Sequence, residues 1–217
     1  MLRKETVDPG TLELLKYLMS DERLSDFFLV GGTALSLQIG HRISIDLDLF
    51  TLKPFDENIL LEYLEQAKKF EVNLQNKNTL KGKIAGIQVD CIMHAYPLVE
   101  SLLHVEGIRM ASLQDIAAMK LNAIVGTGSR LKDFVDIAFL SYYLSLKEMI
   151  EAYENKYELR NPFSVLKAIS YHSDINFADE IQMINVKLEW KVIEKRLKEM
   201  EKYPDEIFPE MPLKPAK

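Results

Sequence analysis

Cysteine is nearly missing from this chain: Cys91 is the one thiol in 217 residues. A single thiol cannot close an intramolecular disulfide or build a cysteine-ligated zinc site, which suits a reducing compartment, and its apolar neighbours place it in a core. Long hydrophobic runs are absent too. Nowhere do about 18 apolar residues stand together, and the opening "MLRKETVDPG" lacks the apolar centre of about 7 to 15 residues that a secretion signal needs. The expectation is a soluble, cytoplasmic protein with no membrane partner. Basic charge is also in short supply. With a formal net charge of -6 there is no basic footprint over the whole molecule, so a nucleic-acid partner would have to meet a local patch. Lys77, Lys81 and Lys83 of "NKNTLKGK" are candidates for one, although charged faces are usually only solvated. No HExxH spacing joins the four histidines, and no GxxxxGK[ST] phosphate loop occurs.

What is present suffices for a folded body. At 47% hydrophobic and 28% charged residues the chain can bury a proper core, as one generous domain or two small ones. Helical spacing in "TLELLKYLMSDERL" is followed by a short buried strand "FFLV" (27–30) and a helix "TALSLQIG" ended by Gly40. "RISIDLDLF" alternates throughout, which predicts a strand with Arg42, Ser44, Asp46 and Asp48 on one face and Ile43, Ile45, Leu47 and Leu49 on the other. "FDENILLEYLEQAKKF" reads as a helix capped by Asp56. "EVNLQNKN", "KGKIAGI" and "QVDCIMHAY" read as strands, with a short strand at "GIRMA".

After about Met110 nearly everything is helical. Ser112 caps "SLQDIAAMKLNAIV", "SRLKDFVDIAFLSYYL" follows a glycine turn, Ser145 and Glu148 have capping-box spacing, Asn161-Pro162 opens "PFSVLKAISYH", and "KLEWKVIEKRLKEMEKY" is the final helix. The fold class expected is α+β: a small mixed-sheet core over 1–110, a C-terminal helical bundle over 111–203, and a proline-rich tail over 204–217 that is mobile or docked on a surface.

The chemistry concentrates in "FLVGGTALSLQIGHRISIDLDLF". Asp46 and Asp48, two apart on a strand, aim two carboxylates at one volume about 6 to 7 Å apart, and their repulsion is resolved by a cation. Magnesium prefers such hard oxygen ligands and completes its shell with water and phosphate oxygens. Asp90, inside the apolar run "GIQVDCIMH", offers a third ligand; three acids could hold two magnesium ions about 3.5 to 4 Å apart for an in-line phosphoryl displacement. The plainer alternative is a half-exposed strand with a polar face. Gly31 and Gly32, between strand and helix, let a phosphate approach backbone N–H groups, and Thr33 can add a hydroxyl. Arg42 would either neutralise the aspartates or touch phosphate. Lys120 would stabilise triphosphate charge or sit on a solvated face, while Lys132, Asp133 and Asp136 open the next helix, the two acids sharing a face and one of them orienting a lysine.

Val30-Gly31-Gly32 followed by Asp46-Leu47-Asp48-Leu49 resembles the signature of the DNA polymerase β-type nucleotidyltransferase superfamily. More narrowly, "GGTALSLQIGHRISIDLDLF" with "MKLNAIVGTGSRLKDFVDIAFL" resembles the AbiEii/AbiGii toxin family of nucleotidyltransferases. The resemblance implies a minimal nucleotidyltransferase core followed by a helical domain, with a nucleotide cleft between them. It carries Asp46, Asp48 and Asp90 onto the metal-binding and catalytic acids, Gly31-Gly32 onto the nucleotide loop, and Lys120, Lys132, Asp133 and Asp136 onto the second motif. The expected activity is transfer of a nucleoside monophosphate from an NTP to a hydroxyl of a tRNA end or a protein, with release of pyrophosphate, in a toxin that has an antitoxin partner. The chain departs from the family at Thr127, where an arginine is usual, with Arg130 as the substitute, and at Leu131, which interrupts a basic cluster. The alternative expectation is a nucleotide-binding regulatory protein of weak or no turnover.

Overall fold

The computed structural model describes residues 1–158 and 163–213. The chain divides into two compact units, Met1–Pro97 with Ser101–Ala111, and Leu98–Glu100 with Ser112–Lys217.

The first unit is built on a seven-stranded mixed sheet in the order β3-β4-β5-β2-β1-β7-β6. Its strands are β1 (Phe28–Val30), β2 (Leu47–Thr51), β3 (Glu71–Asn76), β4 (Thr79–Ile84), β5 (Ile87–Met93), β6 (Leu103–Val105) and β7 (Ile108–Met110). β2 runs parallel to β5 and antiparallel to β1. Leu47, Leu49, Leu80, Val89 and Cys91 are buried in the core, which fixes register because a slip of one residue would turn them to the other face. Helices α1 (Pro9–Ser20), α2 (Gly31–Ile39) and α3 (Glu57–Lys68) complete the unit. Asp8 caps α1, accepting from the amides of Gly10 and Thr11, and Asp56 caps α3, accepting from those of Asn58 and Ile59. Gly40 closes α2 in the left-handed region at φ 77°, which a glycine adopts without strain. Arg109 on β7 donates to the carbonyls of Met19, Leu24 and Phe27, fastening the connection from α1 to β1 onto the sheet.

Two expectations change here. The strand read over Arg42–Phe50 begins only at Leu47. Arg42 is buried and lies outside β2, residues 43–46 have no regular structure, and Ile45, placed on the apolar face by alternation, is 59% exposed. The cause is local: the Ser44 amide donates to the Thr6 carbonyl and the Thr33 hydroxyl bonds the Asp46 carbonyl, so backbone groups that a sheet ladder would use are spent on the loop. β6 is the second difference. It pairs with β7 across a Glu106-Gly107 turn in which both residues have positive φ, a hairpin geometry that suits strand twist.

The second unit is helical: α4 (Leu113–Gly126), α5 (Leu131–Leu140), α6 (Leu146–Tyr157), α7 (Phe163–Ser170) and α8 (Trp190–Lys202). α4 packs against α5, α6 and α7. Ser112 caps α4, and Ser145 with Glu148 forms a complete capping box on α6. The proline start read at Asn161-Pro162 lies outside the described residues. α5 stops at Leu140, short of the "SYYL" included by periodicity. The described tail residues 204–213 dock on this unit: the Phe208 amide donates to the Ser141 carbonyl, and the Arg196 guanidinium stacks on the Phe208 ring and donates to the Glu210 carbonyl.

A buried ion pair braces the helices. The Asp115 carboxylate accepts from the Val99 and Glu100 amides, the Ser112 hydroxyl and, at 2.8 Å, the Lys156 ammonium. Removing one partner of such a pair leaves an uncompensated buried charge, so Lys156→Met is expected to cost about 3–5 kcal/mol of stability, read from the urea midpoint. Cys91 gives a second expectation. Burial, and next the charge of Asp90, push its thiol up to about 12, so the native protein should not react with a thiol reagent at pH 8 and should react fully once denatured.

Candidate active site

Register is what assembles the acidic residues. Strands β4, β5 and β2 are neighbours, with Lys81 opposite Asp90 and Asp90 opposite Asp48. Residues paired in register project to the same face, so Lys81, Asp90 and Asp48 stand side by side, with strands about 4.8 Å apart. The residues flanking them on these strands, Leu80, Gly82, Val89, Cys91, Leu47 and Leu49, are buried in the core on the other face. One row back, Lys83 is opposite Gln88. Asp46, exposed and just ahead of β2, lines a groove of about 670 Å³ together with Lys83 and Gln88.

Asp90 is the most enclosed of the acids. Its Oδ2 accepts from the Lys81 ammonium at 2.6 Å and its Oδ1 from the Gln88 amide at 2.7 Å. An acid on a strand face with one oxygen on a cation and the other on an amide is held in one orientation.

The glycine turn abuts this row. Val30 pairs with Asp48, so the chain leaves β1 directly into α2 beside the aspartate. Gly31 has φ 69°, and a Cβ there would stand 2.3 Å from Asp48 Oδ2. A Cβ on Gly32 would stand 2.5 Å from Arg42 Nη2. At Gly31 the left-handed φ strains any side chain, whereas at Gly32 a side chain would have to push the end of Arg42 aside. The N-terminus of α2 has no side-chain cap, leaving first-turn amides to the kind of anion a helix start favours. Thr33 is turned elsewhere, its hydroxyl bonded to Ser44 Oγ and the Asp46 carbonyl. It ties the loop carrying Asp46 to α2. Arg42 is buried at 3% exposure and donates to the Ile43 carbonyl; it backs Gly32 instead of sharing a strand face with the aspartates, because that strand has not yet begun.

The second group of expected residues forms a cluster of its own in the helical unit. Lys120 on α4 places its ammonium 2.6 Å from Asp133 and 2.7 Å from Asp136, both on α5. Only 8% of the Lys120 side chain is exposed. Its charge is consumed by two buried carboxylates, and the role this geometry shows is bracing α4 against α5. Lys132 is half-buried. Arg130 is mostly exposed and lies 3.8 Å from Asp133, and the Thr127 hydroxyl bonds the Ala123 carbonyl at the end of α4.

The donor chemistry of the first cluster fits a hard divalent cation: two carboxylates in adjacent register, a third on the loop just ahead of β2, and an Asp48 carboxylate seated where a side chain at Gly31 would stand. Among the described residues no three acidic, histidine or cysteine side chains converge closely enough to enclose an ion, consistent with an Asp90 turned toward Lys81 and Gln88. Lys81 and Gln88 are the residues that sequence reading missed here. Their period-two spacing with Asp90 and Lys83 was visible; which strands pair was not.

Comparison with known proteins bears on this arrangement. A 35% identical stretch of 168 residues, 75% of this chain and 81% of the other, is shared with the uncharacterized protein aq_aa25 of Aquifex aeolicus (strain VF5). The fold is similar to that of JHP933 from Helicobacter pylori, with a TM-score of 0.53 at 16% identity over 92% of this chain and 93% of that one. The model of the family "Nucleotidyl transferase AbiEii toxin, Type IV TA system" matches residues 13–99 and 92–208. That match takes in the glycine turn, the acid row and nearly all the helical unit, so this chain belongs to the AbiEii nucleotidyltransferase toxin family and is an enzyme of the nucleotidyltransferase class.

Proposed function

We propose that the protein transfers a nucleoside monophosphate from an NTP to a hydroxyl, as the toxin of a toxin–antitoxin pair whose partner is an antitoxin. The observation that carries the reading is the register of Asp48 beside Asp90, next to a glycine turn whose missing Cβ makes room for the Asp48 carboxylate. The α2 start and the Gly31-Gly32 backbone receive phosphate oxygens, where N–H groups and the helix dipole favour an anion. Asp46, Asp48 and Asp90 would hold magnesium, two ions in the full site, which when bound neutralises triphosphate charge and orients its oxygens. Asp90 takes the proton of the attacking hydroxyl. As the acceptor oxygen bonds to the α-phosphorus, the bond from that phosphorus to its bridging oxygen breaks and pyrophosphate leaves. The groove beside Asp46, Lys83 and Gln88 admits the acceptor, a tRNA end or a protein hydroxyl.

The test is incubation of the purified protein with each labelled NTP, magnesium, and either total tRNA or lysate protein. Label should move to one acceptor class with stoichiometric pyrophosphate. Asp48→Asn and Asp90→Asn should each lower the rate by at least about 100-fold while the protein stays folded, since each removes charge aimed at the reacting phosphate. Measurable NTP affinity by calorimetry with no pyrophosphate under any acceptor would instead identify a nucleotide-binding regulator. Gly31→Ala should both lose activity and cost about 1–3 kcal/mol in a denaturant titration, because an alanine at that positive φ is strained and collides with Asp48.

A further inference from the structure

The acid row includes a cation, Lys81, that the reaction proposed above does not use. Lys81 faces Asp90 across the β4–β5 pair, with its ammonium 2.6 Å from Oδ2. Asp48 flanks Asp90 on the other side. The row therefore reads ammonium, carboxylate, carboxylate across three adjacent strands. Two carboxylates in neighbouring register repel, and an ion pair on the same face offsets that repulsion. Unlike Lys120 and Lys156, whose side chains are 8% and 1% exposed beside their aspartates, Lys81 has access to water: 35% of its side chain is exposed, against 12% for Asp90. A four-carbon stem at that exposure can swing its strongly hydrated head into solvent, where water takes over its charge, while the enclosed Asp90 then needs another cation in its place. Gln88, which holds the other Asp90 oxygen at 2.7 Å, is neutral and can stay.

We infer that Lys81 is the resident counter-ion of the acid row and competes with a divalent cation for Asp90, so that metal loading and withdrawal of the Lys81 ammonium are one event. A cation approaching Asp90 and Asp48 meets a positive charge already seated on one of its ligand oxygens. Lys81 thus acts as a positioning residue: it keeps Asp90 oriented and compensated until the metal arrives, and it sets the concentration at which the metal takes over. The inference rests on the metal reading of the proposed function, and its test separates the two.

Manganese alone, without nucleotide, is titrated into the full-length protein, free Mn²⁺ being read by electron paramagnetic resonance. Lys81→Met and Lys81→Gln should bind Mn²⁺ about tenfold more tightly than wild type, the change expected when a partly screened unit charge leaves the neighbourhood of a divalent ion. Lys81→Arg, which keeps the charge, should stay within about threefold of wild type. Without metal the two neutral variants should melt at a lower temperature than wild type, and Mn²⁺ should raise their melting temperature by more. Neutral variants that bind Mn²⁺ no tighter than wild type, while Asp90→Asn weakens binding, overturn the inference and leave the metal reading standing. An Asp90→Asn protein that binds as wild type does, or an absence of Mn²⁺ binding in every protein, overturns both.

Discussion

The parallel pairing of β2 on β5 is the constraint on which the rest depends. Leu47 with Val89 and Leu49 with Cys91 are buried on one side of the pair, and their burial alone sets which residues come together on the other. At about 25 cal/mol per Å² of apolar surface, two leucines, a valine and a cysteine contribute several kcal/mol to holding one register. The opposite face then has no choice about bringing Asp48 beside Asp90. Packing on the hidden side thus holds two like charges together on the exposed side, which neither residue would favour by itself. A site that needs paired acids is stable here because the cost of their proximity is met by a core that does not share their face.

Much of this was legible in the chain. Helix starts were announced by Asp56, Ser112 and the Ser145–Glu148 box, each a short-range signal satisfied by amides within three residues. The mixed sheet followed by helices, and the two aspartates beside a glycine turn, could also be read directly. The extent of β2 could not. Alternation over "RISIDLDLF" is a true period-two pattern, but its first half is diverted by Thr6 and Thr33, which lie outside the sheet and whose hydrogen bonds with Ser44 and the Asp46 carbonyl hold the loop against the α2 start. Periodicity reports which side chains could share a face; it is silent on whether the backbone has a neighbour to pair with. β6 was hidden for the opposite reason, since "LHV" is too short and too polar to stand out without its partner.

The same limit explains why the pairing of Lys81 with Asp90 could not be read from the chain. Its contact with Asp90 spans nine residues and exists only because β4 and β5 form a hairpin through Ala85-Gly86, both at positive φ. A shift of that turn by one residue would send the lysine to the core side. The role of Lys81 is therefore written in the turn and the register, and not in the lysine's own neighbourhood.

Lysines 81, 120 and 156 all sit on aspartate oxygens at 2.6 to 2.8 Å, yet the geometry gives them different work. Lys156 and Lys120 are enclosed, with 1% and 8% of their side chains exposed. For an enclosed pair, separating the charges strands both in a low-dielectric interior, so it stays closed and serves as a brace between helices. Lys81 is exposed enough for water to take over its charge when it leaves, which makes its bond to Asp90 exchangeable at modest cost. Distance does not distinguish a brace from an exchangeable counter-ion. What distinguishes them is whether each ion, once parted, has somewhere to go: for Lys81 that is bulk water, and for Asp90 it is a divalent cation shared with Asp48.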